Sequence, residues 1–330
     1  MTGDPDEIQR NEAGSLPAEP LFILAPPCTF SWTICAMLGQ HPQMYGLPEL
    51  HLFSTETMAG WWDLCSHENY QMDHGLARAV ADLYFGGQTD EGVARARGWL
   101  RRRAHFNTGF LLEVLAERLK PLIPVEKSPS IIYRSEFMQR AFNLFPGARF
   151  IHLVSHPAAY CEAVMAALRE LSLRQPLPPT HWLVRLTTFP RHAPGELPGD
   201  PAPDPQVGWQ ALHKSIAEFL DTVPAAQKRI VRGEDLLLDS NQGLLEVASW
   251  LGLRTDPEAL EEMRHPERSR FASYGPASAP FGSDIFLVPG PILRPAWVEP
   301  HSLEGPVSWR SDGQGFFPEV RELAVQFGYK

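Results

Sequence analysis

The chain has 330 residues, 44% of them apolar, and a formal net charge of −10 at pH 7. This acidic balance argues against nucleic acid and against anionic membranes as partners, because both attract basic surfaces. The apolar fraction is enough for an ordinary core, and no apolar run approaches the ~20 residues that a membrane-spanning helix needs. We therefore expect a cytoplasmic globular protein with one domain over residues 20–330.

Two parts of the chain have compositions that are poor in core-forming residues. Residues 1–19 are polar, acidic and rich in glycine and proline, which predicts a disordered N-terminal tail. Prolines are dense around residues 187–206, which excludes a helix or central strand there and predicts a long surface loop. Such a loop is either a lid or partner site, or a disordered insertion.

The first motif in chain order is a strand followed by a tight loop and a helix. Residues 21–24 are all apolar, Pro26 and Pro27 end the strand, and helical periodicity begins near Ile34 and continues to Leu38. The first turn of such a helix has unpaired N–H groups and the positive end of the helix dipole. This arrangement predicts an anion cradle.

The residues of this cradle are unusual for a phosphate site. The loop and first helical turn contain Cys28, Thr29, Phe30, Ser31, Trp32 and Thr33. Glycine and basic residues, which phosphate loops normally use, are missing. A helix N-terminus can lower the pKa of a thiol, so Cys28 is a candidate nucleophile, although a small residue that merely fits explains it more simply. The four cysteines lack zinc-site spacing, and we expect no metal.

Further patterns place strands near residues 150–154 and 228–233, with helices around residues 207–220, 244–251 and 318–327. Gly252 is positioned as a helix stop. The alternation of short buried strands with helices predicts an α/β fold whose parallel sheet is covered by helices on both faces.

Four segments together resemble the sulfotransferases that use 3′-phosphoadenosine 5′-phosphosulfate. They are the first motif with its helix end Leu-Gly-Gln-His41-Pro42 and the following Leu-Pro-Glu49, then Glu126-Lys127-Ser128-Pro129, then the strand ending in Ser155-His156-Pro157, and finally Val231-Arg-Gly-Glu-Asp-Leu236. The resemblance implies a P-loop-type sulfotransferase fold, with a central parallel sheet flanked by helices.

The resemblance also implies a cofactor site, which this sequence only partly keeps. In the family, the first loop binds the 5′-phosphosulfate, and an Arg and a Ser after a later strand bind the 3′-phosphate. Here Cys28 stands at the first loop's arginine, while Ser155 and Ala163 stand at the later Arg and Ser. We expect weak nucleotide binding, supported by backbone N–H groups, by stacking on Phe30 or Trp32, and by basic residues from elsewhere in the chain.

The same resemblance implies the catalytic groups. Lys127 would supply positive charge, and Glu49 lies seven residues after Pro42, where one branch of the family has its carboxylate base. His51 would share the face of Glu49 in an extended segment, although a histidine without a catalytic role accounts for it at least as well. A surface carboxylate is the alternative for Glu49.

These features leave three functions open. The first is sulfuryl transfer to a hydroxyl of a small or carrier-bound metabolite, as part of metabolite biosynthesis. The second is a sulfotransferase fold that no longer uses the phosphosulfate nucleotide and serves another reaction or non-catalytic binding. The third is a structural partner in a biosynthetic complex.

A cluster of arginines is either a solvated helix surface or a dock for an acidic protein such as an acyl carrier protein; its members are Arg95, Arg97, Arg101, Arg102 and Arg103.

Overall fold

A computed structural model describes residues 19–67, 72–174, 182–187, 204–282 and 301–330. The predicted tail, except residue 19, and most of the predicted proline-rich loop lie outside the described residues, so both stay predictions. The strands are β1 Leu21–Leu24, β2 Met44–Gly46, β3 Ile123–Glu126, β4 Arg149–Val154 and β5 Lys228–Arg232.

The helices, in chain order, are α1 Ser31–Gly39, α2 Met58–His67, α3 Asp73–Tyr84, α4 Asp90–Arg102, α5 Thr108–Leu119, α6 Ser135–Leu144, α7 Pro157–Arg174, α8 Trp182–Thr187, α9 Gln206–Asp221, α10 Gly233–Leu238, α11 Ser240–Leu251, α12 Pro257–Glu262 and α13 Pro318–Gln326. Within this part of the chain, no helix is long and apolar enough to cross a membrane.

The strands form one parallel sheet in the order β2-β3-β1-β4-β5. Leu21 of β1 lies opposite Val125 of β3 on one side and Arg149 of β4 on the other. Because the strands are parallel and in register, the segments that follow β1, β3 and β4 leave the sheet at the same edge. The expected α/β fold is confirmed, and this edge brings the candidate residues together.

The side chains of β1 alternate between two hydrophobic clusters, one on each face of the sheet. Phe22 and Leu24 pack into the larger cluster, whereas Leu21 and Ile23 pack into the smaller one with α1 and α11. A strand buried on both faces needs a continuous apolar run, which explains the sequence of β1. Gly252 has φ +70 at the end of α11, as its predicted role as a helix stop requires.

A pair of buried histidines joins the sheet to α9. His152 Nε2 and His213 Nδ1 are 2.8 Å apart, and the rings contact Phe327 of the C-terminal segment. Burial lowers the pKa of His152 to about 3, and burial together with His152 lowers the pKa of His213. Both imidazoles are therefore neutral in the folded protein at neutral pH.

This pair predicts acid sensitivity. Because the folded pKa values lie below the unfolded value of about 6.5, the unfolded chain binds more protons below that pH, and stability falls as pH drops. We expect the free energy of unfolding to decrease by about 1.4 kcal/mol per pH unit per histidine below pH ~6.5. Urea unfolding, measured at several pH values between 7 and 5, gives the dependence of the unfolding free energy on pH. This dependence should be weaker for His152→Phe/His213→Leu than for the control His105→Leu, which changes an exposed histidine. Equal slopes would contradict the assignment.

Candidate active site

The cradle between β1 and α1 has a defined loop geometry. Cys28 adopts φ +61, and the Thr29 hydroxyl donates to the carbonyl oxygen of Pro26 at 2.9 Å. Phe30 occupies the position before α1 and provides no side-chain hydrogen bond to the first turn. Its ring lies against Gly233 at the start of α10, where a Cβ would come within 2.7 Å of a ring carbon. The Thr29 hydroxyl also accepts from the Ser31 N–H at 3.4 Å, so the first turn of α1 has this one side-chain contact and Phe30 adds none.

The remaining cradle residues point into the protein. Ser31, Trp32 and Thr33 are all buried. Trp32 lines a cavity of about 10 Å³ together with Cys35, Phe271 and Lys127. That is room for about one water molecule, so the Trp32 ring lies within packed protein and a base cannot stack on it as the structure stands.

Cys28 is not disulfide-bonded and packs against the core next to Tyr160 of α7. The Tyr160 side chain is fully buried, and its hydroxyl has no hydrogen-bond partner within the described ranges. Burial raises the pKa of Tyr160, with the neighbouring Cys28 adding to the effect. The phenol is therefore a neutral donor beside the cradle.

Glu49, Lys127 and His51 lie together at the same edge of the sheet. The ammonium of Lys127 donates to Glu49 Oε1, and His51 Nε2 lies 3.5 Å from Glu49 Oε2. The exposed fractions of the Lys127 and Glu49 side chains are only 5% and 17%. The ion pair is therefore largely removed from water. Charge interactions are stronger in the protein interior than in water.

The backbone at His51 differs from the expected extended segment. His51 has φ +55 and precedes a 3-10 turn at residues 52–54, so it does not share the face of Glu49 by strand alternation. The left-handed turn itself brings the ring back toward the carboxylate. On its other side, His51 Nδ1 lies 3.0 Å from the Ser130 hydroxyl, so the ring bridges Glu49 and Ser130.

A buried polar pair at the end of β3, Glu126 and Ser128, fixes this turn. The Ser128 hydroxyl accepts from the backbone N–H groups of Leu50 and His51, each at 2.8 Å, and donates to Glu126 Oε1. Burial raises the pKa of Glu126 despite its bonds to Ser128, and its Oε2 has no partner in the described part of the chain. The segment after β3 therefore holds both the catalytic candidate Lys127 and the backbone beside Glu49.

The charge of Glu49 depends on its neighbours. Burial alone would raise the pKa of Glu49, but Lys127 and, to a lesser degree, His51 lower it to about 2. The carboxylate is therefore ionised at neutral pH, and its basicity is suppressed as long as Lys127 stays in contact.

The end of β4 has a different character. Ser155 and His156 are buried, the Ser155 hydroxyl has no partner among the described residues, and Ala163 lies further along on α7. Burial and the stacked His301 lower the pKa of His156 to about 4. The carboxylate of Glu234 accepts from the His156 N–H at 2.6 Å. A neutral imidazole and a nearby carboxylate are unsuitable for a doubly charged phosphate.

Most of the arginine cluster, which lies on α4 and at the residue after it, contacts other parts of the protein. Arg97 pairs with Asp73 at 2.7 Å, and Arg103 is buried over the Trp99 ring. Arg95 lies over the Phe85 ring and Arg101 over the Trp62 ring. These two side chains and that of Arg102 remain exposed. The exposed basic surface is therefore smaller than the sequence cluster indicates.

A larger groove of about 710 Å³ lies away from these residues, between α6 and α9. Its lining includes Glu136, Arg140 and Glu218, and none of the candidate site residues. This groove is larger than the cavity beside Lys127, but it lies apart from the titratable groups whose contacts converge at the sheet edge.

The fold agrees with comparisons to known proteins. A family model described as "Sulfotransferase family" matches residues 20–257. The chain belongs to the sulfotransferase family, and its parallel sheet flanked by helices is the P-loop-type sulfotransferase fold. No curated protein matches the sequence.

Two solved structures show the likeness of fold over nearly the whole chain. The sulfotransferase domain from the curacin biosynthetic pathway has a TM-score of 0.69 and 19% identity, covering 96% of this chain and 99% of that one. The sulfotransferase domain of the Synechococcus PCC 7002 olefin synthase has a TM-score of 0.67 and 23% identity, covering 98% and 99%.

The family's nucleotide fits one end of this site and not the other. The backbone N–H groups of the first turn of α1 and the ammonium of Lys127 are donors suited to a phosphosulfate group. The β4 end, with Ser155, Ala163 and a neutral His156, has no charged donor for a 3′-phosphate among these positions. These positions therefore offer fewer charged contacts to a 3′-phosphate than the first loop and Lys127 offer to a phosphosulfate group.

Proposed function

We propose that this chain transfers a sulfuryl group to a hydroxyl of a small or carrier-bound metabolite, with Glu49 as the base and Lys127 as the cation beside it. The supporting observation is the buried contact between these two side chains at the sheet edge next to α1. A base must lie within hydrogen-bond reach of the proton it takes, and a cation must lie near developing negative charge. The two side chains combine these roles in one place.

The ion pair also suggests how the base becomes active. Lys127 would move toward an anion held at the first turn of α1, since that anion competes with Glu49 for the ammonium. Glu49 would then lose the contact that chiefly lowers its pKa, and burial would raise its basicity. His51, placed between Glu49 and Ser130, would keep the carboxylate oriented toward the acceptor hydroxyl.

The phosphosulfate nucleotide, where bound, supplies the sulfuryl group. We propose that Thr29 and the backbone from Cys28 to Thr33 surround its phosphosulfate end, that Phe30 borders the site, and that Ser155 and Ala163 contribute little. The two structural neighbours are domains of a biosynthetic pathway and of an olefin synthase, which favours an acceptor from metabolite biosynthesis. The exposed Arg95, Arg101 and Arg102 could receive an acidic carrier protein, and a cytoplasmic location stays a prediction.

A second candidate is a fold that no longer uses the nucleotide. It is favoured by the cavity of about 10 Å³ beside Lys127 and by the neutral β4 end. In that case the Glu49–Lys127 pair would serve another proton transfer or the binding of a polar ligand.

Sulfur-35 transfer from the labelled nucleotide tests the proposal. Acceptors should include hydroxy acids and the same hydroxyacyl groups attached to an acyl carrier protein, with reactions lacking the protein as the blank. We expect label on a hydroxyl of at least one acceptor, identified by mass spectrometry. Nucleotide binding without transfer to any acceptor of this class would contradict the proposal, and absence of both binding and transfer would favour the second candidate.

A further inference from the structure

Residues 269–282, which we call the clamp segment, lie over the Glu49–Lys127 pair. Ser269, Phe271 and Gly282 line the small cavity that also contacts Lys127. Gly282, the last described residue of the segment, accepts a hydrogen bond from the Glu49 N–H at 2.8 Å. The clamp segment is therefore in direct contact with the backbone that presents the carboxylate.

The contact at Gly282 is too close for a side chain. Gly282 has φ +105, and a Cβ there would come within 2.4 Å of Gly75 Cα on α3. A Cβ on Gly75 would in turn come within 2.1 Å of the Glu49 carbonyl oxygen. The backbones at Gly282, Gly75 and Glu49 thus meet without intervening side chains. A displacement of the clamp segment would therefore displace the backbone at Glu49.

One side chain fastens the clamp segment to α3. Arg78 is 1% exposed, and its guanidinium donates to Gln88 Oε1 at 2.7 Å, to Phe281 O at 2.9 Å and to Ser273 O at 3.0 Å. Its guanidinium also lies over the Phe271 ring. The planar fork binds both ends of the segment at once, which a single ammonium cannot do.

Neighbouring contacts support the same attachment. The Gln88 amide donates to Arg270 O at 2.9 Å, and the His74 ring stacks on Phe281. Gly275 lies against Arg78, since a Cβ there would come within 2.7 Å of Arg78 Nε and 2.2 Å of Ala279 O. The segment is thus built around the guanidinium.

We propose that Arg78 is a positioning residue, which holds the clamp segment on α3 and thereby keeps the Glu49 backbone in place and water away from the Glu49–Lys127 pair. The clamp itself is independent of the reaction, while its effect on turnover rests on the proposed function. Arg78 touches neither Glu49 nor Lys127 in the contacts described above and acts through Gly282.

Cys35 provides a readout that does not depend on activity. Cys35 and Phe271 both line the same cavity, and the Cys35 thiol donates to Leu47 O and Val125 O at 3.6 and 3.9 Å. Alkylation of this buried thiol requires the clamp segment to move away. Labelling with N-ethylmaleimide, followed by peptide mass spectrometry, separates Cys35 from the other cysteines.

Arg78→Met removes the guanidinium while keeping apolar volume. Gly275→Ala leaves the guanidinium in the chain but places a methyl group against Ala279 O and Arg78, which forces the segment to shift. We expect each to increase the rate of Cys35 alkylation about tenfold or more, and to speed deuterium exchange of the Glu49 amide. Arg103→Met is the matched control, because Arg103 is also buried but contacts Trp99. The control should lower the melting temperature without exposing Cys35.

Unchanged alkylation in both clamp variants, or the same increase in Arg103→Met, would overturn the inference. If Arg78→Met does not fold, Gly275→Ala and Arg78→Lys answer the question, since Lys keeps the charge but loses the fork. Where transfer is measurable, both clamp variants should lower kcat more than they raise KM. Absence of transfer in the wild type would count against the proposed function and leave the Cys35 result standing.

Discussion

Replacement of Glu49 by glutamine is expected to lower sulfuryl transfer by about 10²–10⁴-fold, the usual contribution of a general base. Glutamine keeps the size of the side chain and an oxygen that can accept from Lys127, so the site should retain its shape. Acceptor binding should therefore change little, and the loss should appear in kcat. Steady-state rates with the sulfur-35 donor measure this directly.

Cys28→Ser is the control for this variant. The change removes the candidate nucleophile in the cradle and conserves its size and its left-handed backbone position. We expect activity close to that of the wild type. If Cys28→Ser abolished transfer and Glu49→Gln did not, the chemistry would be covalent and the role proposed for Glu49 would be wrong.

Lys127→Met is expected to destabilise the fold by about 3–5 kcal/mol at neutral pH, because it leaves a buried carboxylate without its partner. The pH dependence should also reverse. In the wild type the Glu49 pKa of about 2 lies below the ordinary 4.5, so its contribution is present above pH 4.5 and is lost as pH falls toward 2. In the variant, burial without Lys127 raises that pKa above 4.5, so stability is lost as pH rises through it.

Urea unfolding at pH 4 and pH 8 measures both effects. The deficit of Lys127→Met relative to wild type should be larger at pH 8 than at pH 4. The double variant Glu49→Gln/Lys127→Met removes both charges and should recover much of the lost stability. A deficit that does not depend on pH, or a double variant less stable than Lys127→Met, would show that the ion pair does not govern this site.

The sequence is sufficient for much of the fold. β1 is a continuous apolar run, and β4 is apolar apart from Arg149 and His152. Both strands are predicted from the sequence, as are β5 and the helices α9, α11 and α13. β2 and β3 were not predicted as strands, because β2 has only three residues and β3 contains Pro124. Strands this short contain too few residues for a hydrophobic periodicity to be recognised. Their conformation depends on the strands with which they pair.

The site shows where sequence reasoning ends. The resemblance to the family identifies Glu49, Lys127 and His51 as candidate catalytic residues. They meet in the fold because they follow the neighbouring strands β2 and β3. The sequence does not predict that Ser128 and Ser130 hydrogen-bond the residues around Glu49, because a serine after a strand is common. Arg78 reads as one charge on an amphipathic helix, and its acceptor Phe281 O is 203 residues away along the chain. Only the folded chain brings these groups together.

Calorimetry with 3′-phosphoadenosine 5′-phosphate tests the central claim, that this family member keeps its catalytic pair but has a weak grip on the nucleotide. Each missing charged contact is worth about 1.5–3 kcal/mol, although such values do not add fully in a shared site. We expect the wild type to bind more weakly than micromolar and Lys127→Met to bind more weakly still. Cys28→Arg/Ser155→Arg/Ala163→Ser should bind about tenfold more tightly than the wild type, or better. Micromolar or tighter binding by the wild type, or a triple variant that binds no better, would contradict it.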